Sequence, residues 1–420
     1  MTEVLLRSLF HAAVARALAE RCVPPHLPAP PRGRTIVVGA GKAAAAMAKA
    51  VEDNWRGPLG GLVVTRDGHG MPCRRIEVVE AAHPVPDRRG QAAALRILDL
   101  ARGMGADDLV LCLISGGASA LLSLPAPGVT LADKQDIGAR MLKSGATIAE
   151  INCVRKHLSA IKGGRLGVAA RPASVLTLAI SDVAGDDPSV IGSGPTVADP
   201  SSFADALAVL EKYAIDPPAA IADGLRTGAD ETPKPGDQGL SHARFELVAT
   251  PAHALEAAAE LARARGYRAV VLGDAIEGEA CVVAREHAEI ALRTDGPSVL
   301  VSGGETWVRV RGGGRGGRNA EYLLALALAL DGRAGVYAIA CDTDGIDGTE
   351  ANAGCVIGPE TLARARRLGV DAQARLDDND AFGFFAAVDD LVITGPTRTN
   401  VNDFRAIIVE GLTGRYHDRD

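Results

Sequence analysis

Aromatic residues and clustered positive charge are what this chain has least of. Phe, Trp and Tyr make up 3% of its 420 residues, and its formal net charge is −7. Proteins that bind single-stranded nucleic acid stack bases on aromatic side chains, and duplex binding needs clustered Lys and Arg. The composition therefore argues against nucleic acid as a partner.

Cysteine is present but is not arranged as in a metal site or a disulfide framework. The cysteines are Cys22, Cys73, Cys112, Cys153, Cys281, Cys341 and Cys355. No two of them form a Cys-x-x-Cys pair, and their number is odd. Such a dispersed set is typical of reduced thiols, so we expect a cytoplasmic protein.

The amino-terminal segment lacks the pattern of a signal peptide. It contains Glu3 and Glu20, and no long apolar core precedes a cleavage site. Its apolar residues recur with helical spacing, so that they share one face. We predict a helix that docks on the rest of the protein and does not enter a membrane.

What the chain does have is a repeated pairing of apolar runs with polar loops. The runs and the loops that follow them are Thr35–Val38 before Gly39-Ala40-Gly41-Lys42, Leu109–Ile114 before Ser115-Gly116-Gly117-Ala118-Ser119, Val175–Ile180 before Ser181-Asp182, Ser298–Val301 before Ser302-Gly303-Gly304-Glu305, Val336–Ala340 before Asp342-Thr343-Asp344, and Leu391–Ile393 before Thr394-Gly395-Pro396-Thr397. In open α/β folds, ligands bind beyond the carboxyl ends of the strands. Glycine amides and hydroxyls suit phosphate oxygens and carboxylates suit Mg²⁺, so the pattern indicates an enzyme that acts on phosphates.

The length of the chain and one Pro- and Gly-rich stretch predict two α/β domains. A chain of 420 residues is too long for one ordinary core. The stretch from Leu225 to His242 contains Pro233 and Pro235 and has no apolar periodicity, which favours a domain boundary there. We therefore divide the chain into residues 1–236 and 237–420.

The first Gly-rich loop admits three interpretations. It follows a strand and opens a helix, as a purely structural turn would. With Ala44 in place of a third glycine and Asp67 as a ribose acceptor, it also resembles a dinucleotide fingerprint. Lys42 favours phosphate binding, because a cation at a helix amino terminus is disfavoured by the macrodipole unless an anion accompanies it.

A basic segment follows at residues 151–167. Arg155, Ser159 and Lys162 are spaced to form one polar face of a helix. Such a face can be a ligand site or an ordinary solvated surface, and the spacing alone leaves both interpretations open.

Acids follow two of the strands. Asp182, directly after a buried run, suits a metal ligand or a general base. The run Asp342-x-Asp344-Gly345-x-Asp347 organises either a metal or simple Asx-turns. It is not an EF-hand loop, because Ala353 occupies the position of the bidentate acid.

An arginine at a predicted helix start is the last candidate. The segment from Gly312 to Asn319 is rich in glycine and contains Arg318. The structural interpretation is a Gly-rich hairpin loop; the functional one is that Arg318 clamps a carboxylate or phosphate with two parallel hydrogen bonds.

Taken together, these motifs resemble one family. The matching segments are Gly39-Ala40-Gly41-Lys42-Ala43, His83-Pro84-Val85-Pro86-Asp87, Leu113-Ile114-Ser115-Gly116-Gly117-Ala118-Ser119-Ala120, Ser181-Asp182-Val183, Ile191-Gly192-Ser193-Gly194-Pro195-Thr196, Ser302-Gly303-Gly304-Glu305, Gly317-Arg318-Asn319, Asp342-Thr343-Asp344-Gly345-Ile346-Asp347-Gly348, and the Thr394–Asp403 loop. In this order they resemble class II glycerate 2-kinases, the carboxy-terminal part resembling the MOFRL domain. The resemblance spans essentially the whole chain.

The resemblance implies a Rossmann-like amino-terminal domain with a mainly parallel sheet, a smaller carboxy-terminal α/β domain, and an active site in the cleft between them. It implies transfer of the γ-phosphoryl group of ATP to the 2-hydroxyl of D-glycerate with Mg²⁺. The catalytic set would be Lys42, Asp182 and Arg318. Residues expected to bind the nucleotide are Gly39, Gly41, Ser115, Gly116, Gly117, Ala118, Ser119, Gly192, Ser193, Gly194, Thr196, Gly303, Glu305, Asn319 and Asn400. Residues expected at the metal are Asp182, Asp342 and Asp344.

Two departures and two alternatives accompany the resemblance. Ala320 stands where the family usually has Gln, and Arg398 where it has glycine. The runner-up is an NAD(P)H-dependent hydroxypyruvate reductase that uses Gly39, Gly41 and Ala44 as a true fingerprint. A sugar-phosphate sensor without catalysis is the third interpretation. The oligomeric state, monomer or homodimer, is left open.

Overall fold

The computed structural model describes residues 2–228 and 230–410. The strands are β1 (Thr35–Ala40), β2 (Leu59–Arg66), β3 (Glu77–Ala81), β4 (Leu109–Ile114), β5 (Ser174–Ile180), β6 (Ala243–Ala249), β7 (Arg268–Gly273), β8 (Gly278–Glu279), β9 (Ser298–Gly304), β10 (Thr306–Trp307), β11 (Val336–Asp342), β12 (Gly354–Ile357), β13 (Leu391–Val392) and β14 (Asp403–Val409).

Two of the α-helices of the described residues precede the first strand, and the others lie between strands. They are α1 (Thr2–Ala17), α2 (Ala19–Cys22), α3 (Ala44–Asn54), α4 (Arg88–Arg102), α5 (Ala118–Leu121), α6 (Leu131–Ser144), α7 (Ile148–His157), α8 (Arg165–Ala169), α9 (Phe203–Lys212), α10 (Ala219–Thr227), α11 (Pro251–Ala264), α12 (Ala280–Arg293), α13 (Arg318–Leu330), α14 (Thr361–Arg367), α15 (Ala372–Asp377) and α16 (Ala381–Val388).

The first compact unit, residues 19–248, is built on a six-stranded sheet of order β3-β2-β1-β4-β5-β6. Strands β1 to β5 pair in parallel. Every residue of β1 and β4 is buried, as expected for parallel strands that are covered on both faces. The order is that of a doubly wound, Rossmann-like sheet, which confirms the fold predicted for this part.

The strand order reverses between β1 and β4, and this reversal positions the candidate site. From β1 the chain continues outward through β2 and β3, and from β4 it continues in the opposite direction through β5. Doubly wound sheets bind ligands in the crevice at such a point, beyond the carboxyl ends of the strands. The loops found there are the two Gly-rich loops after β1 and β4.

The second compact unit comprises residues 2–18 and 249–410 of the described chain and contains a mixed sheet of order β13-β12-β11-β14-β9-β7. Within it β7 and β9 are parallel, whereas β9, β14, β11, β12 and β13 pair in antiparallel fashion. Helix α13 is apolar on most sides and lies in the core beside α12 and β11. A smaller α/β carboxy-terminal domain is therefore confirmed.

Helix α1 packs in the second unit although it begins the chain. Its apolar face is buried against α11, β11 and β14. The Phe10 ring lies 5.9 Å from that of Phe404, and the Thr399 hydroxyl donates a 2.7 Å hydrogen bond to the Ala17 carbonyl. The prediction of a docking helix is confirmed. No helix in the described part of the chain is long and apolar enough to cross a bilayer.

The observed division of the chain differs from the predicted one in two places. Residues 2–18 group with the second unit, because the apolar face of α1 has its partners there. The first unit also continues past residue 236, because β6 adds to the edge of the first sheet beside β5. The Pro- and Gly-rich stretch is thus a connection within the first unit.

Candidate functional site

The carboxyl ends of β1 and β4 and the loops after them approach each other too closely for side chains at two glycines. A Cβ on Gly39 would lie 1.9 Å from the Leu113 carbonyl oxygen, and one on Gly41 would lie 2.1 Å from the Ser115 hydroxyl. Both glycines also have positive φ, at 147° and 138°. Glycine is required here so that the two loops can meet at the reversal of the sheet.

The amides of the first loop are hydrogen-bonded within the protein. Gly41 donates to the Val64 carbonyl, Lys42 to the Gly116 carbonyl at 2.8 Å, and the Ala43 amide to the Ser115 hydroxyl at 3.0 Å. A dinucleotide fingerprint would present such amides to a pyrophosphate. The first loop therefore supports the second loop and has little capacity left as a phosphate cradle.

The second loop differs in this respect. Gly116 and Gly117, which lie between β4 and α5, donate no hydrogen bond from their amides to any residue of the described chain. Buried or half-buried amides are normally paired, so an orphaned pair in a glycine loop is suited to an anion. Of the predicted nucleotide-binding residues, these two are the ones that the geometry leaves best able to donate.

The loop at residues 192–196 holds the second loop in place. The Ser119 and Ser193 hydroxyls share a 2.7 Å hydrogen bond, and Ser193 donates onward to Asn152. The Thr196 hydroxyl pairs with that of Thr177 at 2.6 Å. Ser193 and Thr196 are both buried, so their side chains serve as support behind the loop.

Gly192 and Gly194 have left-handed φ angles of 60° and 55°. A Cβ on Gly192 would crowd Ile114 and Ala118 at the base of the second loop. Asp182 is the second residue after β5 and is partly exposed at the same edge of the sheet.

Asp67, which would bind the ribose if the protein were a reductase, is paired with Arg89. Arg89 donates to both oxygens of Asp67, at 2.7 and 2.8 Å, and these bonds lower the pKa of Asp67. A ribose would have to displace this bidentate pair. The arrangement disfavours Asp67 as a dinucleotide ligand.

In the second unit, Arg318 is the first residue of α13 and lies among three carboxylates. Its Nε donates to Asp403 at 2.9 Å, its Nη1 to Glu305 at 2.7 Å, and its Nη2 to Asp342 at 2.9 Å. Burial lowers the pKa of Arg318, but the three acids raise it by more, so the net change is upward. The guanidinium is thus fixed in orientation and permanently charged, with two of its five N–H groups outside these bonds.

Asp403 is the centre of this arrangement, and no individual role was predicted for it from the sequence. Its side chain is fully buried and accepts hydrogen bonds from Arg318, Asn319 at 2.7 Å and Arg405 at 2.7 Å. Arg405 is itself buried and lies over the Tyr322 ring. The partners Arg318 and Asn319 are 85 and 84 positions away in sequence, which is why no local motif identified the cluster.

The acids of the 342–348 loop make turns and a helix cap. Asp342 accepts from the amide of Asp344 at 2.9 Å, and Asp344 accepts from that of Ile346 at 2.9 Å. These are Asx-turns, one of the two structures that the spacing of these acids predicts. The turns account for one carboxylate oxygen of each residue.

Asp347 caps helix α13. It accepts from the amides of Asn319 at 3.0 Å and Ala320 at 2.9 Å, where a carboxylate complements the helix macrodipole. A Cβ on Gly317 would lie 2.3 Å from this carboxylate, so glycine is needed before Arg318. Burial nevertheless raises the pKa of Asp347 to about 6.

The remaining predicted residues of this unit divide by exposure. Glu305 is exposed at the end of β9, whereas Asn319 and Asn400 are buried. The side-chain carbonyl oxygen of Asn400 accepts from the Asn402 amide, and the Gly303 carbonyl accepts from Arg405. Of these four, only Glu305 presents its side chain to solvent.

Comparison with known proteins places these motifs in one family. A family model described as "Domain of unknown function (DUF4147)" matches residues 5–226, and one described as "MOFRL family" matches residues 298–403. A protein from Thermotoga maritima named "D-glycerate 2-kinase" is 39% identical over 400 residues, covering 93% of this chain and 94% of the relative. The chain belongs to the MOFRL-type glycerate 2-kinase family.

A solved structure and a further relative carry different names. The crystal structure of a glycerate kinase from Thermotoga maritima matches with a TM-score of 0.90 and 37% identity, covering 97% of this chain and 99% of that one. A relative from Agrobacterium vitis, 52% identical over 96% of this chain and 94% of its own length, is named "Putative hydroxypyruvate reductase".

The two departures from the glycerate 2-kinase family pattern have different settings. Ala320 is fully buried in the core at the start of α13. Arg398 is exposed and has a left-handed φ of 61°, a conformation that glycine adopts without cost. The glycine usual in the family is therefore the less strained residue at position 398.

No group of three or more His, Cys, Asp or Glu residues within the described ranges could hold a metal ion unaided. Mg²⁺ in phosphoryl-transfer enzymes is commonly bound through one or two carboxylates together with the phosphates and water. Single carboxylates such as Asp182 and Asp344 fit that requirement. Asp342 also accepts from Arg318 and from the Asp344 amide, and Asp344 accepts from the Ile346 amide.

Proposed function

We propose that this protein transfers the γ-phosphoryl group of ATP to the 2-hydroxyl of D-glycerate, giving 2-phosphoglycerate and ADP. The observation that carries the proposal is the similarity, over 93% of this chain, to a protein named "D-glycerate 2-kinase". The motif loops of that family lie at the reversal of strand order in the first unit and around Arg318 in the second.

Phosphoryl transfer asks the protein mainly for alignment and for neutralisation of charge on the migrating group. We assign the Gly116 and Gly117 amides and Lys42 to the phosphate oxygens. Arg318, held by Asp403 and Asp342, uses its remaining N–H groups to clamp the transferring phosphate or the glycerate carboxylate. Asp182 supplies the carboxylate that the reaction needs, either for the proton of the acceptor hydroxyl or for the metal.

We assign Mg²⁺ to Asp182 of the first unit or to Asp344 of the second, whereas Asp342 serves to orient Arg318. A bound Mg²⁺ supplies positive charge to the phosphate oxygens. Both acids carry hard oxygen donors, which this ion prefers.

The second candidate is an NAD(P)H-dependent hydroxypyruvate reductase. The observation in its favour is the name carried by a relative 52% identical to this chain. The geometry opposes it at two points: the amides of the fingerprint loop are bonded internally, and Asp67 is paired with Arg89. We therefore rank it below the kinase.

One pair of assays separates the two functions. The full chain is incubated with D-glycerate, ATP and Mg²⁺, and ³¹P NMR identifies whether the new phosphate ester is on the 2-hydroxyl or the 3-hydroxyl. A parallel incubation contains hydroxypyruvate with NADH or NADPH, monitored by the absorbance of the reduced nicotinamide. We expect 2-phosphoglycerate and no oxidation of nicotinamide. Oxidation without ester formation would replace the kinase proposal with the reductase.

A further inference from the structure

The first unit contains a cavity lined by three cations and no acid. The cavity has a volume of about 360 Å³ and lies among α6, α7 and the loops at residues 84–86 and 119–123. Its cationic side chains are Lys134, Arg155 and Lys162, and no Asp or Glu lines it. Ser119, in the helix α5 that follows the loop after β4, lies in the same wall.

Lys162 is buried, Lys134 and Arg155 are half-buried, and none of the three has a counter-ion among the described residues. Lys162 is 1% exposed, and the Nζ atoms of Lys162 and Lys134 are both inaccessible and without a hydrogen-bond partner. Arg155 forms no ion pair with any described residue. Burial lowers the pKa of Lys134 to about 7, with a further contribution from Arg155, and lowers that of Lys162 well below its ordinary value.

The acids near the cavity are hydrogen-bonded or ion-paired to other residues. The three cavity cations therefore lack acidic partners, although acids are present nearby. Lys156, adjacent to Arg155 on α7, is buried but paired with Asp199 at 2.5 Å. Asp133 forms the capping box of α6, and Glu150 forms that of α7 and binds Lys212. Buried Lys and Arg are normally paired, because an unpaired buried charge is costly. The predicted helix face does not form, because α7 ends at His157, and the solvated interpretation is wrong for Lys162, which is buried.

The shape and lining of the cavity limit the ligand. Pro84, Val85, Pro86 and Leu142 give it an apolar side, and no aromatic ring is available to stack on an adenine base. Its charge, up to three positive, matches that of a small acid bearing one carboxylate and one dianionic phosphate. A three-carbon hydroxy acid and its phosphate ester are small enough for this volume, whereas an adenine nucleotide lacks the aromatic contact that would favour it.

We propose that this cavity binds the acceptor side of the reaction: a small hydroxy carboxylic acid before transfer and its phosphate ester after it, held by Lys134, Arg155 and Lys162. The identity of the acid rests on the proposed function, but binding to the three cations does not. Ser119, two residues after Gly117, lines the cavity, so an acid bound there would lie next to the loop whose amides we assign to phosphate.

The test is calorimetric titration of the full chain with 2-phosphoglycerate, D-glycerate, inorganic phosphate and ATP. The variants are Lys162→Met and Lys134→Met, with Lys143→Met as the matched control, because Lys143 is exposed on the same helix as Lys134. We expect each cavity variant to bind 2-phosphoglycerate at least tenfold more weakly than the parent does. Its affinity for ATP should stay within twofold of the parent's. Lys143→Met should bind all four as the parent does. Thermal unfolding establishes that each variant is folded, and removal of an unpaired buried charge should not lower its midpoint.

The outcomes separate this inference from the proposed function. Binding of 2-phosphoglycerate that depends on Lys162 and Lys134 supports the inference even if no kinase activity is found. Kinase activity in a protein whose cavity variants bind 2-phosphoglycerate as tightly as the parent overturns the inference and leaves the function intact. If the cavity variants bind ATP more weakly but bind 2-phosphoglycerate as the parent does, the cavity is assigned to the nucleotide. That result would also overturn the inference.

Discussion

Replacing Asp403 by Asn should both destabilise the second unit and disable Arg318. The carboxylate is completely buried and accepts from Arg318, Asn319 and Arg405 at 2.7–3.0 Å. Asn keeps the shape and one acceptor oxygen but removes the charge, and its amide N–H groups face the arginines. Removing one member of a buried ion pair typically costs about 3–5 kcal/mol. Because one acceptor remains, we expect a cost at the lower end, about 3 kcal/mol.

The two tryptophans allow the loss of stability to be measured for the second compact unit separately. Trp55 belongs to the first unit and Trp307 to the second. In a Trp55→Phe background, tryptophan fluorescence reports the second unit alone during urea unfolding. With a slope of about 2–3 kcal/mol/M, a loss of about 3 kcal/mol lowers the midpoint by about 1–1.5 M.

The control is Asp389→Asn in the same background. Asp389 is exposed and has a left-handed φ of 61°, which Asn accepts readily. We expect its stability to lie within about 0.5 kcal/mol of the parent. Turnover of Asp403→Asn, measured at a temperature where it is folded, should fall at least about tenfold, because Arg318 loses the carboxylate that orients it. If Asp403→Asn unfolds with the parent and keeps full turnover, the buried cluster does not position Arg318.

Four further outcomes are expected. Lys42→Ala should lower kcat/KM for ATP-dependent phosphorylation at least a hundredfold, about 3–4 kcal/mol, with an unchanged far-UV spectrum; near-parental kinetics would remove Lys42 from the site. Excess chelator should abolish activity, and Asp182→Asn should lose more turnover than Asp344→Asn; the reverse order would place the essential acid in the second unit. Arg318→Lys should lose at least about tenfold in kcat, because an ammonium cannot reproduce a planar clamp; parental kcat would mean that charge alone is used. The raised pKa of Asp347, about 6 against an ordinary value of 3.8, means that the native state holds its proton more tightly than the unfolded chain. It therefore contributes stability below about pH 4 that is lost as pH rises to about 6, up to about 3 kcal/mol. The difference between the urea midpoints measured at about pH 4.5 and about pH 7 should therefore be smaller in Asp347→Asn than in the parent. An equal difference in the two proteins would contradict the raised pKa of Asp347.

Local patterns were sufficient for the first sheet and for the loops at its edge. The apolar runs near Thr35 and Leu109 are buried on both faces, so their composition alone indicated parallel strands. Gly41 and Ser115 could be recognised because a glycine or hydroxyl directly after such a strand is typical of the turn where a doubly wound sheet binds its ligand. These features depend on residues that are neighbours in the chain.

Features built from distant residues were not accessible in the same way. Strand β14 begins at Asp403, directly after a polar motif that has the composition of a loop, and its strand character depends on pairing with β9 and β11. Lys134 lies on a helix with ordinary polar composition, and nothing local indicates that its ammonium is buried. The Pro- and Gly-rich stretch was misleading because β6 returns to the first sheet after it.

The docking of α1 in the second unit has a consequence for synthesis. Residues 19–248 are an uninterrupted segment, whereas the second unit needs α1 together with residues 249–410. Domains fold as units while the chain leaves the ribosome, so the first unit can be complete while α1 still waits for β11 and β14. During that interval the face containing Leu6, Leu9 and Phe10 has none of its final partners. A nascent chain of this protein therefore carries an exposed apolar helix until its last strand is made, and this helix is the segment on which a chaperone would be expected to act.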